Sequence, residues 1–245
     1  MGRFAVLLAA VVCYAAFFAA FLYLIGFAAA FEPLPTHVDK GLSAGTGTAI
    51  VVDLALIALF GLQHSLMARP AFKARWTKVV PPPLERSVYC LAAALCLVAL
   101  FAFWHPIAGS LWSIENQTGR MVMWALFLAG WGIVLVATFL INHFALFGLK
   151  QAWDHFTGAT PSPDWFRTPL FYRWVRHPIY SGFLLAFWAT PEMTYSHLLL
   201  ALGFTAYIFV GIAHEERDLV SLHGDNYLDY RKRVGMVFPG VGRKA

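Results

Sequence analysis

The chain has 245 residues, 60% of them hydrophobic and only 13% charged, with a net charge of +5. Soluble domains carry about 25% charged residues, so this balance excludes a soluble globular protein. In a soluble chain the positive balance would suggest nucleic acid; here the basic residues lie between long apolar runs, which points to loops facing anionic lipid and to no nucleic-acid partner.

The first run, Phe4 to Phe31, holds 28 residues without a charge, more than the roughly 20 that cross a hydrocarbon core. It also exceeds the about 7–15 residues of a secretory h-region, and Glu32-Pro33-Leu34-Pro35 is a poor cleavage site, so a retained span is expected. Further spans are expected near 48–68, 87–104 and 121–149. Asp53 is expected to be satisfied by packing or at an interface. Cys13, Cys90 and Cys96 are odd in number and lie in apolar runs, which suits small buried hydrophobes and implies no disulfide framework. Pro81-Pro82-Pro83 is a stiff connector. Trp104, Trp112 and Trp165 are expected in the interfacial aromatic belt.

The stretch 178–213 is too long for one ordinary crossing and is interrupted at Thr190-Pro191-Glu192. Proline removes a helix donor and glutamate is costly in lipid, so a helical hairpin turning near 190–196 is expected, with arms of about 17 residues, roughly 25 Å each. The fold class is therefore all-α: a polytopic helical bundle of five to six membrane segments, with a C-terminal hairpin and a polar cap from Glu215 onward, in which Gly224 breaks a short helical pattern before Tyr227. With six segments, 16 of the 18 Lys and Arg residues fall on one side, leaving Lys40 and Arg120 on the other. The positive-inside rule then puts both termini in the cytoplasm of an inner-membrane protein. No repeat or linker divides the chain, which reads as a single membrane domain over 1–245.

Polar residues inside apolar segments are expensive and therefore informative. Gln63 and His64 lie just before Arg69, and Asn142 and His143 just before Lys150, at similar depth. His177 opens the hairpin, and His214, Glu215 and Glu216 close it. Four segments thus send polar side chains to one cytoplasmic level. No histidine pair has the i, i+4 spacing of a zinc helix and no cysteine pair has finger spacing, so no metal is expected. A proton path would need polar groups through the full depth, and no nucleotide-type glycine pattern is present.

The residues Arg176-His177-Pro178-Ile179-Tyr180-Ser181-Gly182, then Glu215-Glu216, Leu219, Gly224, Tyr227 and Tyr230, are more specific. They resemble the signature of the isoprenylcysteine carboxyl methyltransferase and phospholipid methyltransferase group, over roughly the last 75 residues. The resemblance implies an S-adenosyl-L-methionine site on the cytoplasmic side, and by analogy Arg176, His177, Tyr180, Gly182, Glu215 and Glu216 as its cofactor-binding residues, with Arg217 and Tyr230 as further candidates. The cofactor's ammonium, carboxylate and sulfonium suit carboxylates and cationic or polar partners, and Gly182 would allow close backbone approach. Arg173 and Arg176 could equally be snorkelling anchors. Val210-Gly211-Ile212-Ala213 carries no arginine ahead of the glutamate pair, which disfavours a carboxylate substrate.

The rest of the chain resembles the bacterial methanethiol S-methyltransferases, whose front half is NnrU-like. Gln63-His64-Ser65-Leu66-Met67-Ala68-Arg69-Pro70, Glu85-Arg86-Ser87 with Tyr89, and Asn142-His143-Phe144 through Gln151 carry that likeness. It implies a front half over 1–115, a methyltransferase core over 120–245, and a small thiol as substrate. A thiol must ionise to attack, so a base is needed: His143 is the candidate, with His64 and Asn142 to orient or replace it. Another small thiol or a lipid or isoprenoid acceptor stays open, as does a non-catalytic membrane component of nitrogen-oxide metabolism. The oligomeric state is not readable.

Overall fold

The computed structural model describes residues 2–160 and 168–243; Trp165 lies outside them. In chain order the helices are α1 (Arg3–Ala28), α2 (Thr46–Ala68), α3 (Pro70–Trp76), α4 (Glu85–Ala102), α5 (Gln117–Ile141), α6 (His143–Leu146), α7 (Leu149–Thr157), α8 (Pro178–Trp188), α9 (Tyr195–His223) and α10 (Asp225–Arg233). Two short strands, β1 (Ser110–Ser113) and β2 (Glu192–Thr194), pair with each other. Among the described residues, five helices are long and apolar enough to cross a membrane: α1, α2, α4, α5 and α9. The all-α polytopic class holds.

Local chemistry sets the ends of these elements. Arg69 leaves helical geometry as Pro70 takes the first position of α3, where its missing N–H costs nothing. Glu85 stands in the first turn of α4, and Arg231, Lys232 and Arg233 in the last turn of α10, both matched to the helix dipole. Gly224, at φ 54°, separates α9 from α10, which is the break expected before Tyr227.

Two expectations are corrected. The apolar run at 121–149 is not one helix: α5 stops at Ile141, and Asn142 adopts φ 103° and caps the turn of α6 by accepting from Ala145 N–H (3.1 Å). The hairpin arms are also unequal, 11 residues in α8 and 29 in α9, about 16 Å and about 43 Å of helix. The expected turn is there, but α9 runs on through the polar Glu215-Glu216 segment. After α8 the chain continues extended: Pro191 O accepts from Ile114 N–H (2.8 Å) and Thr190 O from Trp112 Nε1–H (3.2 Å). Non-helical backbone at the end of a short apolar arm requires partners of this kind.

Contacts divide the chain into two compact units whose segments alternate along the sequence: Met1–Gly109, Asn142–Pro163 and Thr194–Leu199 in one; Ser110–Ile141, Asp164–Met193 and Leu200–Ala245 in the other.

In the first unit α1 packs on α4 and α7, and α2 on α4. Phe27 lies edge-on to Trp104 (5.6 Å, 87°), whose Nε1–H donates to Val38 O (2.8 Å). Trp104 is fully buried, so it belongs to the core and not to the expected aromatic belt: with its one polar atom bonded, nothing holds the indole at an interface. Asp53 is also fully buried and accepts the backbone N–H of His105 (3.0 Å), the packing-satisfied role expected of it. The three cysteines are free thiols.

In the second unit α5 packs along α8. A Cβ added at Gly182 would lie 2.6 Å from Gly130 O and 2.8 Å from a Val134 methyl, and one at Gly130 would lie 2.7 Å from Gly182 O. The two glycines therefore set the closest approach of these helices, as small residues do between membrane helices. Around them Trp131 stands edge-on to Phe183 and Phe187, and Phe187 stacks on Phe204.

Candidate functional site

In the second unit the residues of the Arg-His-Pro segment are drawn together by one guanidinium. Arg176 is buried at 4% exposure. Its Nε donates to Glu216 Oε1 (2.8 Å) and its Nη2 lies 2.7 Å from the same oxygen. Nη1 donates to Val234 O (2.6 Å) and Arg231 O (3.3 Å), and Nη2 to Gly242 O (3.1 Å). The backbone continues the contact: Arg176 N–H donates to Gly235 O, His177 N–H to Met236 O, and Ser181 Oγ–H to Val237 O. The guanidinium fork thus spends its donors on α9, on the last turn of α10 and on the segment after it. Arg176 is a structural clamp, and the snorkelling alternative is excluded for it by burial. Arg173, by contrast, is exposed.

Glu216 is buried and faces two guanidinium groups and an imidazole: Arg176, Arg231 Nε at 3.5 Å from its second oxygen, and His177 Nε2 at 3.4 Å. Its charge is balanced within the protein. Glu215 differs from it: its side chain is 46% exposed and Oε2 lies 3.6 Å from His177 Nδ1. The imidazole of His177 is therefore flanked by both carboxylates, one buried and one open to the surroundings. Tyr180 sets its ring 5.6 Å from that imidazole. Arg217 is exposed. Gly182 faces α5, so the side chain it lacks makes room for a helix backbone.

Tyr230 is buried, its hydroxyl donates to Tyr172 O, and its ring leans on buried Tyr227 (5.9 Å). Burial pushes the Tyr230 phenol up to about 12, partly opposed by the nearby Arg176 charge. Tyr227 and Tyr172 are raised too, first by burial and then by surrounding charge, with Glu216 leading for Tyr227 and Glu215 for Tyr172. All three stay neutral near pH 7 and do not act there as acids or bases. Sequence reasoning passed over Ser181, Tyr172 and Arg231. Ser181 lies inside the quoted motif, which was the available signal for it.

The first unit holds the other candidates. His64 lies between Phe60 (5.2 Å, 18°) and Tyr89 (4.8 Å, 41°), and its carbonyl accepts from the Tyr89 hydroxyl (3.3 Å). His143 is buried, and Tyr14 Oη lies 2.8 Å from its Nε2. Asn142 is exposed, and its left-handed conformation together with its capping side-chain oxygen starts the turn that presents His143. Tyr14, in the middle of an apolar run, gave no spacing signal. Among the described residues no group of three or more His, Cys, Asp or Glu is placed to hold a metal ion.

Comparison with known proteins gives these clusters a context. The chain is 45% identical to a methanethiol S-methyltransferase of Crocosphaera subtropica over 100% of its own length and 96% of the relative. It is 51% identical to a methanethiol S-methyltransferase of Pseudomonas deceptionensis over 86% of this chain and 80% of the relative. A more distant likeness, 32%, links it to nurim of Mus musculus over 68% of this chain and 66% of that protein. No solved structure matches. The NnrU protein family matches residues 54–237, a range that takes in His64, His143, Arg176, Glu216 and Val234; the chain belongs to the NnrU family.

Proposed function

We propose that this protein is an integral-membrane methyltransferase that uses S-adenosyl-L-methionine to convert methanethiol to dimethyl sulfide. The observation that carries the reading is identity of 45% over the whole chain with a protein of that name, joined to the Arg176–Glu216 clamp at the hairpin motif. One C–S bond forms as another breaks, and the thiol gives up a proton.

The residues in the second unit fit the methyl donor. Bound there, it would supply a methyl group on an electron-poor sulfonium. Glu215 offers an exposed carboxylate for an ammonium group, and the Tyr180 ring beside His177 offers a face suited to a cation. Glu216 and Arg176 hold His177 in place. For the thiol's proton we assign His143, whose imidazole has the range for transfer near neutrality, with His64 as the next residue to test. Ionisation matters because a thiol with a pKa near 8.5 is only a few per cent thiolate at pH 7. The protein is assigned to the inner membrane, with both termini cytoplasmic, from the distribution of its basic residues.

The test is direct. Membranes carrying the protein, given S-adenosyl-L-methionine and methanethiol, are expected to release dimethyl sulfide into the headspace and S-adenosylhomocysteine into solution. Methylation of only a larger thiol or of lipid in the same panel would replace the substrate. No methyl transfer to any acceptor, with no binding of S-adenosylhomocysteine by calorimetry, would refute the enzyme.

A further inference from the structure

A glycine inside a helix is destabilising relative to alanine, so one that no neighbour requires draws attention to the space it leaves. Gly130 and Gly182 are required by each other's backbone. Gly211, inside α9, is not. Its conformation is ordinary helix, and among the described residues a Cβ added there would meet one atom within 4 Å, the Tyr180 hydroxyl oxygen at 3.7 Å, which is ordinary contact. The residue is half-buried, so a place sized for a small group stays unfilled beside Tyr180.

That place adjoins the residues read above as the methyl-donor site. Gly211 and Glu215 stand one turn apart on the same face of α9, about 6 Å along its axis. Glu215 Oε2 lies 3.6 Å from His177 Nδ1, the His177 ring lies 5.6 Å from that of Tyr180, and the Tyr180 hydroxyl returns to Gly211. These residues form a closed circuit between the start of α8 and the face of α9. Its Glu215 end is charged. Its other end is apolar, because Tyr180 packs against Leu184, Ile208, Ile212 and Val237. S-adenosyl-L-methionine has the matching polarity: an ammonium group at one end of a short chain and, about a helix turn away, a sulfonium that carries the methyl.

We propose, resting on the methyl-donor reading of this cluster, that Gly211 is a specificity-determining residue: the room over it beside Tyr180 receives the transferable methyl group and the small alkyl group of the thiol that takes it. A side chain at 211 then competes with the methyl while leaving the Glu215 end untouched. A longer acceptor chain competes for the same room.

The experiment uses full-length Gly211→Ala and Gly211→Val in detergent. Gly132→Val is the control, an exposed position of α5 where an added Cβ meets nothing within 4 Å. Calorimetry without thiol, so that no turnover occurs, compares S-adenosyl-L-methionine with S-adenosylhomocysteine, which lacks the methyl. In Gly211→Val the affinity for the methylated ligand is expected to fall about 10- to 100-fold, the size of an overpacking effect, with the affinity for S-adenosylhomocysteine close to wild type. Gly211→Ala is expected to show a smaller loss of the same kind and a thermal midpoint no lower than wild type, and the control no change in either affinity. Across methanethiol, ethanethiol and 1-propanethiol, the loss of kcat/KM in Gly211→Ala is expected to grow with chain length. A ratio of the two affinities unchanged from wild type would overturn the proposal, and Gly211→Ala decides this if Gly211→Val does not fold. Equal loss for both ligands, or a lower midpoint in Gly211→Ala, would also overturn it and assign Gly211 to packing. Failure of the methyl-donor reading is a different result: wild type itself would bind neither ligand.

Discussion

Arg176 and Glu216, forty residues apart in sequence, form a buried ion pair in which Nε and Nη2 of the arginine both approach a single carboxylate oxygen, at 2.8 and 2.7 Å. Each charge is tolerable only because the other is present. Removing one partner of such a pair typically costs about 3–5 kcal/mol, because a charge is left uncompensated. Glu216→Ala is therefore expected to lower the thermal midpoint in detergent sharply and to weaken cofactor binding as a consequence. Glu216→Ala with Arg176→Met should recover part of that stability. An unshifted midpoint in the single variant would remove the pair from the fold's support.

Glu215 separates binding from stability. Its carboxylate is 46% exposed and meets His177 Nδ1 only at 3.6 Å, so Glu215→Gln should leave the melting temperature close to wild type. Affinity for S-adenosylhomocysteine, read by calorimetry, is expected to fall about 10- to 100-fold, as when a charge-assisted contact worth about 1.5–3 kcal/mol is lost. Equal affinity in the two proteins would remove Glu215 from the cofactor site.

Gly182→Ala tests packing. The added methyl would sit 2.6 Å from Gly130 O, closer than real contacts allow, so α5 or α8 must shift. The expected loss is about 1–3 kcal/mol, the usual cost of overpacking, seen as a lower thermal midpoint. A variant as stable as wild type would show that the two helices can separate freely.

His143→Ala is expected to lower turnover about 10²- to 10⁴-fold, the range for a positioned general base, while cofactor affinity stays near wild type. Raising the pH toward the thiol's own pKa should restore part of the rate, since the substrate then ionises unaided. Loss of cofactor affinity as well would assign His143 a structural role, and normal turnover at pH 7 would pass the base to His64.

Topology can be read with a reporter fused after Ala245. Cytoplasmic activity alone is expected from the 16 basic residues assigned to that side. Periplasmic activity alone would mean that α8 and its extended continuation do not amount to a crossing.

Hydropathy made α1, α2 and α4 legible to within a few residues, because charge and length decide a span and both are written in the sequence. The break at Thr190-Pro191-Glu192 and the stop at Gly224 were legible for the same kind of reason, since proline and glycine act locally. The break at Asn142 was not: it is a dihedral choice inside an uncharged run, invisible to any average over polarity. Nor was the burial of Trp104, because an indole looks the same in sequence whether its N–H meets water or Val38 O. In the hairpin motif the residue types were visible but their partners were not. Glu216 read as a ligand for a cation from outside, and the fold supplies that cation from within as Arg176. Tyr14 needed the tertiary structure altogether, since its partner follows five helices later.

The grip of Arg176 on Val234 O, Arg231 O and Gly242 O has a consequence for biogenesis. These carbonyls are translated after both Arg176 and Glu216, so the carboxylate that neutralises the guanidinium emerges before the carbonyls that saturate its remaining donors. The nascent chain must therefore hold Arg176 solvated at the membrane surface, or shielded by a chaperone, until the tail emerges and folds back. A premature stop before Val234 would yield a protein that inserts normally yet keeps an unsheathed arginine, the kind of lesion that membrane quality control can recognise.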